Sequence, residues 1–303
     1  MQNTADLIYD TAMVIDPGRR ERQEDAVASD FPSGYGFGFV VLADGMGGHA
    51  AGDVASKIVV TEVFSELKLQ SGDPSLFEAH SGDVLKGAAL NANSCVGLYA
   101  RENPNADGMG ATLLASVIVE DRLYWVSVGD SPLYLFRNGH LTRLNENHAL
   151  SSQIEYLVSS GIMSRSEALD HPDQSCLTSV LIGGEIAQMD CPGTPLTMMA
   201  DDILIAASDG LQFISEEQIE GLLRFQNKNS AEDISAALTK EIKKLDDPCQ
   251  DNLSICVIKA MREGAVAAPR SQNETITRIA NGKTETVTIL TRVRRTKNAA
   301  GQS

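Results

Sequence analysis

The run Val40-Val41-Leu42-Ala43-Asp44-Gly45-Met46-Gly47-Gly48-His49 sets an aspartate at the end of an unbroken apolar stretch and follows it with a glycine-rich turn. A continuous apolar run bounded by turn residues reads as a strand buried on both faces, so its end presents a carboxylate. Glycine permits positive φ and close backbone approach. The Gly45 carbonyl can therefore face the same side as the Asp44 carboxylate, which outlines a site for a hard cation. Asp-Gly after a strand is also ordinary hairpin punctuation, and on this stretch alone both readings stand.

The pattern recurs. Leu204 to Ala207 runs into Ser208-Asp209-Gly210, Trp125 to Val128 runs into Gly129-Asp130-Ser131, and Asp251-Asn252 opens the apolar run Leu253 to Ile258. Strand-end aspartates drawn from remote parts of the chain suit a binuclear Mg²⁺ or Mn²⁺ centre, because these ions take oxygen ligands in octahedral geometry and retain several waters.

The elements that must carry these residues alternate between sheet and helix. Ala12 to Ile15 reads as an edge strand ended by Asp16-Pro17-Gly18, and Arg19-Arg20-Glu21-Arg22-Gln23-Glu24-Asp25 follows as a charged loop. Such a run is ordinarily a solvated face, yet three arginines beside an acidic ion site would also supply the positive group a phosphate needs. Helical spacing marks 50–69 and 83–101, with Ser71-Gly72-Asp73-Pro74 as the stop between them. Residues 108–137 read as strands joined by turns at Glu120-Asp121, Gly129-Asp130 and Asn138-Gly139, an antiparallel meander with Trp125 in the core. A long irregular stretch from His140 to Gly184 reads as a functional flap with short helices, and 216–225 and 231–245 read as amphipathic helices.

At 303 residues the chain can bury a sizeable core, and its formal net charge of −16 disfavours nucleic acid and anionic membrane as partners. The N-terminus lacks a basic segment followed by an apolar one, so no signal peptide is expected and the cytoplasm is the expected compartment. The five cysteines are odd in number and lack Cys-x-x-Cys spacing, which predicts buried, reduced thiols rather than disulfides or structural zinc. Residues 263–303 differ from the rest. A linker at Ala265 to Pro269 precedes two alternating runs about Asn281-Gly282 that predict a β-hairpin, and Arg292 to Arg295 is basic. The expected division is a domain over 1–262 and a C-terminal extension over 263–303, the tail contacting a partner or a second copy.

Taken in order, Arg-x-x-x-Glu-Asp, Ala-Asp-Gly-Met-Gly-Gly, Gly-Ala-Thr, Val-Gly-Asp-Ser, Ser-Asp-Gly and Asp-Asn resemble the metal-dependent protein serine/threonine phosphatases of the protein phosphatase 2C family, most closely the bacterial ones. The resemblance spans about Ile8 to Lys259. It implies an α+β fold, a β-sandwich of two antiparallel sheets flanked by pairs of helices. It further implies that Asp44 bridges two Mn²⁺ or Mg²⁺ ions, that the Gly45 carbonyl binds the first, and that Asp209 and Asp251 complete the second. Glu24 and Asp25 match the pair that holds ion-bound waters, Arg20 the arginine that grips the substrate phosphate, and Asp130 the position that binds a third, weaker ion in bacterial relatives. The segment His171 to Ser175 would be the flap beside it. Some positions depart from the pattern: Gln23 stands where Asn is common, Gln174 where Arg is common, and Asn147 where Asp precedes the family His. Met46 fills the place of a His in animal relatives, leaving His49 or a bound water as candidate general acid.

Two divalent ions can lower the pKa of a shared water and neutralise phosphoryl oxygens, so in-line attack on a phosphomonoester needs no protein nucleophile. The expected substrates are phosphorylated proteins, in bacterial signalling opposed to a Ser/Thr kinase. A catalytically silent module that binds a phosphorylated partner is the alternative within this fold. A Ca²⁺-binding structural protein is the alternative outside it, although no EF-hand spacing occurs.

Overall fold

In the computed structural model of the chain, the described residues are 7–32, 36–47, 51–169, 171, 176–262, 273–280 and 283–290. They fall in two compact units, Met1–Arg262 and Glu263–Ser303.

The first unit opens with strands β1 (Leu7–Asp16), β2 (Asp25–Asp30) and β3 (Phe37–Met46), then helices α1 (Gly52–Gln70), α2 (Pro74–Ala79) and α3 (Ser81–Glu102). Strands β4 (Gly110–Ala111), β5 (Leu113–Val119), β6 (Arg122–Val128), β7 (Leu133–Arg137) and β8 (His140–Arg143) follow. Short helices α4 (Leu150–Ser159) and α5 (Arg165–Leu169) precede β9 (Leu196–Thr197) and β10 (Ile203–Ala207). Helices α6 (Glu216–Gln226) and α7 (Ala231–Lys244) and strand β11 (Leu253–Arg262) complete the unit.

One sheet has the order β1-β11-β10-β7-β8, the other β2-β3-β5-β6-β9 with β4 paired to β3, and every pairing is antiparallel. The expected sandwich is what forms. Val40 and Leu42 of β3 meet Leu204, Ala206, Cys256 and Ile258 between the sheets. Phe39, Val41 and Ala43 face the opposite way, onto Val59 and Val63 of α1 and Leu85 and Ala89 of α3. The other sheet turns Ile205, Ile255 and Val257 outward beneath Ile219 and Leu223 of α6 and Leu238 and Ile242 of α7. A strand covered on both faces has no polar face to show, and this is why β3 reads as an unbroken apolar run.

The reading of 108–137 as one meander is corrected. β5 pairs β6 and β7 pairs β8, but these hairpins belong to different sheets. Gly129-Asp130 therefore carries the chain across the sandwich rather than closing a hairpin. Asp73-Pro74 not only ends α1 but also begins α2: Asp73 Oδ1 accepts the Leu76 N–H at 3.0 Å and Pro74 takes the first helical turn, where its missing N–H costs nothing. Trp125 lies in the core as expected, its Nε1–H donated to Asp190 Oδ2 at 3.0 Å. None of the five cysteines forms a disulfide, but the expectation of burial holds for Cys256 alone; Cys176 and Cys249 are exposed and Cys95 and Cys191 half-buried. No described helix is long and apolar enough to cross a membrane.

In the second unit β12 (Asn273–Ala280) pairs antiparallel with β13 (Lys283–Leu290), with Ala280 opposite Lys283. The Asn281-Gly282 turn, the 265–269 linker and the basic run after Leu290 lie outside the described residues.

Candidate active site

The ends of both sheets deliver carboxylates to one place. Asp25, the first residue of β2, stands directly opposite Asp44 on β3. Asp209 follows β10 and Asp251 precedes β11, and those two strands are hydrogen-bonded neighbours. Asp130 arrives on the crossing between β6 and β7. Asp44 feels Asp25, Asp209, Asp130 and Asp251 at once, and it stands within hydrogen-bonding reach of both Asp25 and Asp209. Glu24 stands beside Asp53 of α1 and feels Asp251 of this group as well, and Arg20 stands against Asp251. His49, Gly48, Gln174 and 172–175 of the expected flap lie outside the described residues.

Backbone contacts fix the tip of β3. The Gly45 N–H donates to the Glu24 carbonyl at 3.1 Å, and the Asp44 N–H donates to Thr112 Oγ1 at 2.9 Å while the Thr112 N–H returns to the Asp44 carbonyl at 2.8 Å. A Cβ on Gly45 would lie 2.0 Å from the Gly52 carbonyl oxygen, so only glycine allows α1 to begin this close to the acidic tip. Ser208 donates from Oγ to Asp25 Oδ2 at 2.7 Å and accepts the Ser254 N–H at 2.9 Å, joining β2 to the β10–β11 end. Thr112 and Ser208 lie in motifs visible in the sequence. Their partners are distant along the chain, so their supporting roles emerge only in three dimensions.

The arginine loop between β1 and β2 hangs on Asn252. Its Nδ2 donates to the carbonyls of Pro17 at 3.0 Å and Arg22 at 2.9 Å, and its Oδ1 accepts the Glu24 N–H at 2.7 Å. Gln23 adds two ties, Nε2 to the Asp16 carbonyl at 3.1 Å and Oε1 from the Asp25 N–H at 3.0 Å. Arg20 then reaches Asp251 Oδ2 at 2.6 Å.

Crowded, buried carboxylates resist ionisation. Burial first, and the neighbouring acids after it, push Asp209 up to about 7 and Asp44 well above the usual carboxylate range. Burial likewise lifts Asp25 to about 6, opposed by the hydrogen bond from Ser208. Glu24 is raised by burial and then by Asp53, and Asp130 by burial.

Such a set of carboxylates implies divalent ions. Asp25 Oδ1 and Asp209 Oδ1 are buried with no hydrogen-bond partner among the described residues. A Cβ on Gly52 would come within 2.9 Å of the Gly45 carbonyl oxygen and 3.0 Å of Glu24 Oε1, space that glycine leaves open. Unpaired buried acceptors beside mutually repelling carboxylates are relieved by cations. Against this, no group of three His, Cys, Asp or Glu side chains among the described residues forms a ready ion cage. Asp251 has both oxygens engaged, one by Arg20 and the other by the Asn252 N–H. The donor set fits ions that fill their shells with water and a backbone carbonyl.

The chain is similar to serine/threonine phosphatases of bacteria. The serine/threonine phosphatase stp of Listeria welshimeri is 30% identical over 203 residues, covering 66% of this chain and 77% of that protein. The serine/threonine protein phosphatase PstP of Mycobacterium tuberculosis is 35% identical over 207 residues, covering 66% of this chain and 36% of that longer protein. The crystal structure of the M. tuberculosis PstP/Ppp phosphatase superposes with a TM-score of 0.69 at 29% identity, covering 83% of this chain and 98% of that one. The PstP catalytic domain in complex with two manganese ions superposes with a TM-score of 0.65 at 28% identity, covering 84% of this chain and 99% of that one. Residues 18–246, which hold Arg20, the β2 and β3 acids, Asp130 and Asp209, match the protein phosphatase 2C family, and with that match the chain belongs to it.

Proposed function

We propose that the chain hydrolyses phosphoserine and phosphothreonine esters on proteins at a binuclear Mn²⁺ or Mg²⁺ centre held by Asp44, the Gly45 carbonyl, Asp209 and Asp251. The observation that carries this reading is the convergence of Asp25, Asp44, Asp209 and Asp251 at one end of the sandwich, with buried carboxylate oxygens left unpaired. The names of the relatives, serine/threonine phosphatases from Listeria and Mycobacterium, and the two manganese ions of one PstP structure support it.

Divalent ions, when bound, supply a water activated near neutral pH and offset charge on the phosphoryl oxygens. The protein's own part is positional. Asp44, opposite Asp25 across the β2–β3 ladder, spans the centre. Asp25, held by Ser208, and Glu24 orient water. Arg20 offers a planar fork that matches two phosphate oxygens once it leaves Asp251. Asp130 would take a third, weaker ion. The unit Met1–Arg262 is the catalytic domain of this proposal, acting in the cytoplasm against a Ser/Thr kinase, and residues 263–303 are a separate element for contact with a partner.

The test is hydrolysis of p-nitrophenyl phosphate and of a phosphothreonine peptide with and without Mn²⁺. Turnover should require Mn²⁺, stop with EDTA, and fall by at least about 100-fold in Asp209→Asn. Turnover that survives EDTA sinks the ion-dependent mechanism. Phosphopeptide binding with no turnover in Mn²⁺ is the outcome that a silent binding module requires.

A further inference from the structure

The loop between β1 and β2 carries three arginines, and its backbone is unusually well held. Asn252 pins Pro17, Arg22 and Glu24, the Arg19 N–H donates to the Gln250 carbonyl at 2.9 Å, and the Arg20 N–H to the Pro17 carbonyl at 3.1 Å. The guanidinium groups nevertheless point outward. Arg19 and Arg20 keep 53% and 57% of their side-chain surface exposed, and Arg22 is exposed too.

Their commitments differ. Arg20 is bound to Asp251 at the acid cluster, and Arg19 forms a surface ion pair with Asp246. Arg22 forms no ion pair and no side-chain hydrogen bond among the described residues, although its field reaches Glu24. A cation on a fixed backbone two residues from Glu24, with its fork free, is preorganised for an anion at the rim of the site. Glu21 is the one exposed acid in the same loop.

We propose that Arg22 reads negative charge flanking the phosphorylated residue, so that the site favours acidic phosphopeptides over neutral or lysine-rich ones. The inference deepens the phosphatase reading and rests on it. The chain's net charge of −16 works the other way at long range. At physiological ionic strength, however, the Debye length is about 8 Å, so the sign of charge at the rim outweighs the total. The Arg19–Asp246 pair is exposed on both sides and yields readily to a competing carboxylate.

The experiment uses the full chain with Mn²⁺ and phosphothreonine peptides of one length, flanked by Glu, Gln or Lys. It measures kcat/KM for each, and Kd for matched phosphonate analogues. The readout is the Glu-to-Lys ratio within each enzyme, so any general loss of activity cancels. The wild type should prefer the Glu peptide by about tenfold, and more at low salt. Arg22→Lys should keep most of the preference, and Arg22→Glu should abolish or invert it. A wild-type ratio within about twofold of unity, or a ratio untouched by Arg22→Glu, overturns the proposal. If the analogues bind with this charge preference while no peptide is hydrolysed, the phosphatase reading fails and the recognition rim stands. Hydrolysis without preference sinks the rim alone.

Discussion

Arg20 donates from Nη2 to Asp251 Oδ2 at 2.6 Å, and the other oxygen of that carboxylate accepts the Asn252 N–H at 2.8 Å. One arginine thus neutralises a proposed ion ligand from the position where it would grip phosphate. Asp251 is the main influence raising the Arg20 pKa. The pair is 57% and 31% exposed, so its net worth is about 1 kcal/mol or less, weak enough to exchange for a cation on one side and a phosphate on the other. Arg20→Ala should raise KM for phosphopeptides by about tenfold through lost charged hydrogen bonds. Calorimetry should find Mn²⁺ affinity equal to wild type or higher. A weakened Mn²⁺ affinity would refute this exchange.

The acid cluster makes the metal-free chain sensitive to pH. Asp25 and Asp209 rise from 3.8 to about 6 and about 7 in the folded state. Between about pH 4 and pH 7 the folded chain therefore binds more protons than the unfolded one, and its stability falls as pH rises through that window. Ions replace those protons, so Mn²⁺ should stabilise more at pH 8 than at pH 5. Thermal unfolding in EDTA should show Tm declining from pH 5 to pH 8, at about 2–4 °C per kcal/mol for a domain of this size, with a shallower decline in Asp209→Asn. A metal-free Tm that is flat in pH for the wild type would contradict the burial of these groups.

The buried strands were legible because burial on both faces leaves a mark: β3, β10 and β11 are apolar runs, and Asp44, Asp209 and Asp251 each mark an end of one, whereas the sandwich they build was only what the family resemblance implied. Strands β5 to β7 were legible too, but β8 begins the stretch from His140 that reads as a flap, and the split between sheets was hidden, since Gly129-Asp130 looks the same as a hairpin turn or as a crossing. Asp44, Asp209 and Asp251 stood out by repetition. Asn252 was visible only as half of a motif, because its three partners lie at least 228 residues away along the chain. The Asp251–Arg20 pairing was hidden for the same reason: spacing fixes what a strand end presents, whereas competition among charges is settled only after folding.

The approach of α1 to the acidic tip has a sharp steric test. A Cβ at Gly45 would meet the Gly52 carbonyl oxygen at 2.0 Å and the Glu24 carbonyl oxygen at 2.6 Å, both main-chain atoms with little room to move. Gly45→Ala should cost at least about 3 kcal/mol by denaturant unfolding. Gly221 in α6 meets nothing within 4 Å, and Gly221→Ala should instead gain about 0.4–1 kcal/mol. Equal effects at the two positions would mean that the close contact is absent.

Asn252 should prove as important as a charged residue. It is 4% exposed and holds three points of the arginine loop. Asn252→Ala orphans those groups, at a cost of about 1–3 kcal/mol. Displacing the loop by even an ångström should lower kcat/KM for phosphopeptides by about 100-fold. Asn252→Asp keeps the size and the acceptor but loses both donated bonds, so it should behave like the alanine variant. Wild-type kcat/KM in either would show that the loop holds its shape without this side chain.

The last prediction concerns the crossing between the sheets. Arg143 donates from Nη2 to the Asp130 carbonyl at 2.7 Å, the Gly129 N–H donates to His148 Nδ1 at 3.1 Å, and the His148 N–H returns to the Gly129 carbonyl at 3.0 Å. With Nδ1 accepting, His148 is held neutral, and burial lowers its pKa in the same sense. These bonds fix the turn that carries Asp130, whose charge opposes the ionisation of Asp44 and Asp209. Asp130→Ala should lower kcat by about tenfold or more while two ions still bind, with the weakest of the Mn²⁺ binding events missing in calorimetry. His148→Ala removes an acceptor from the same turn, so it should shift kcat and the weak site in the same direction by a smaller amount and destabilise by about 1–3 kcal/mol. A crystal structure of Asp130→Ala grown with Mn²⁺ but lacking the two central ions would show that Asp130 belongs to the core of the centre rather than to its edge.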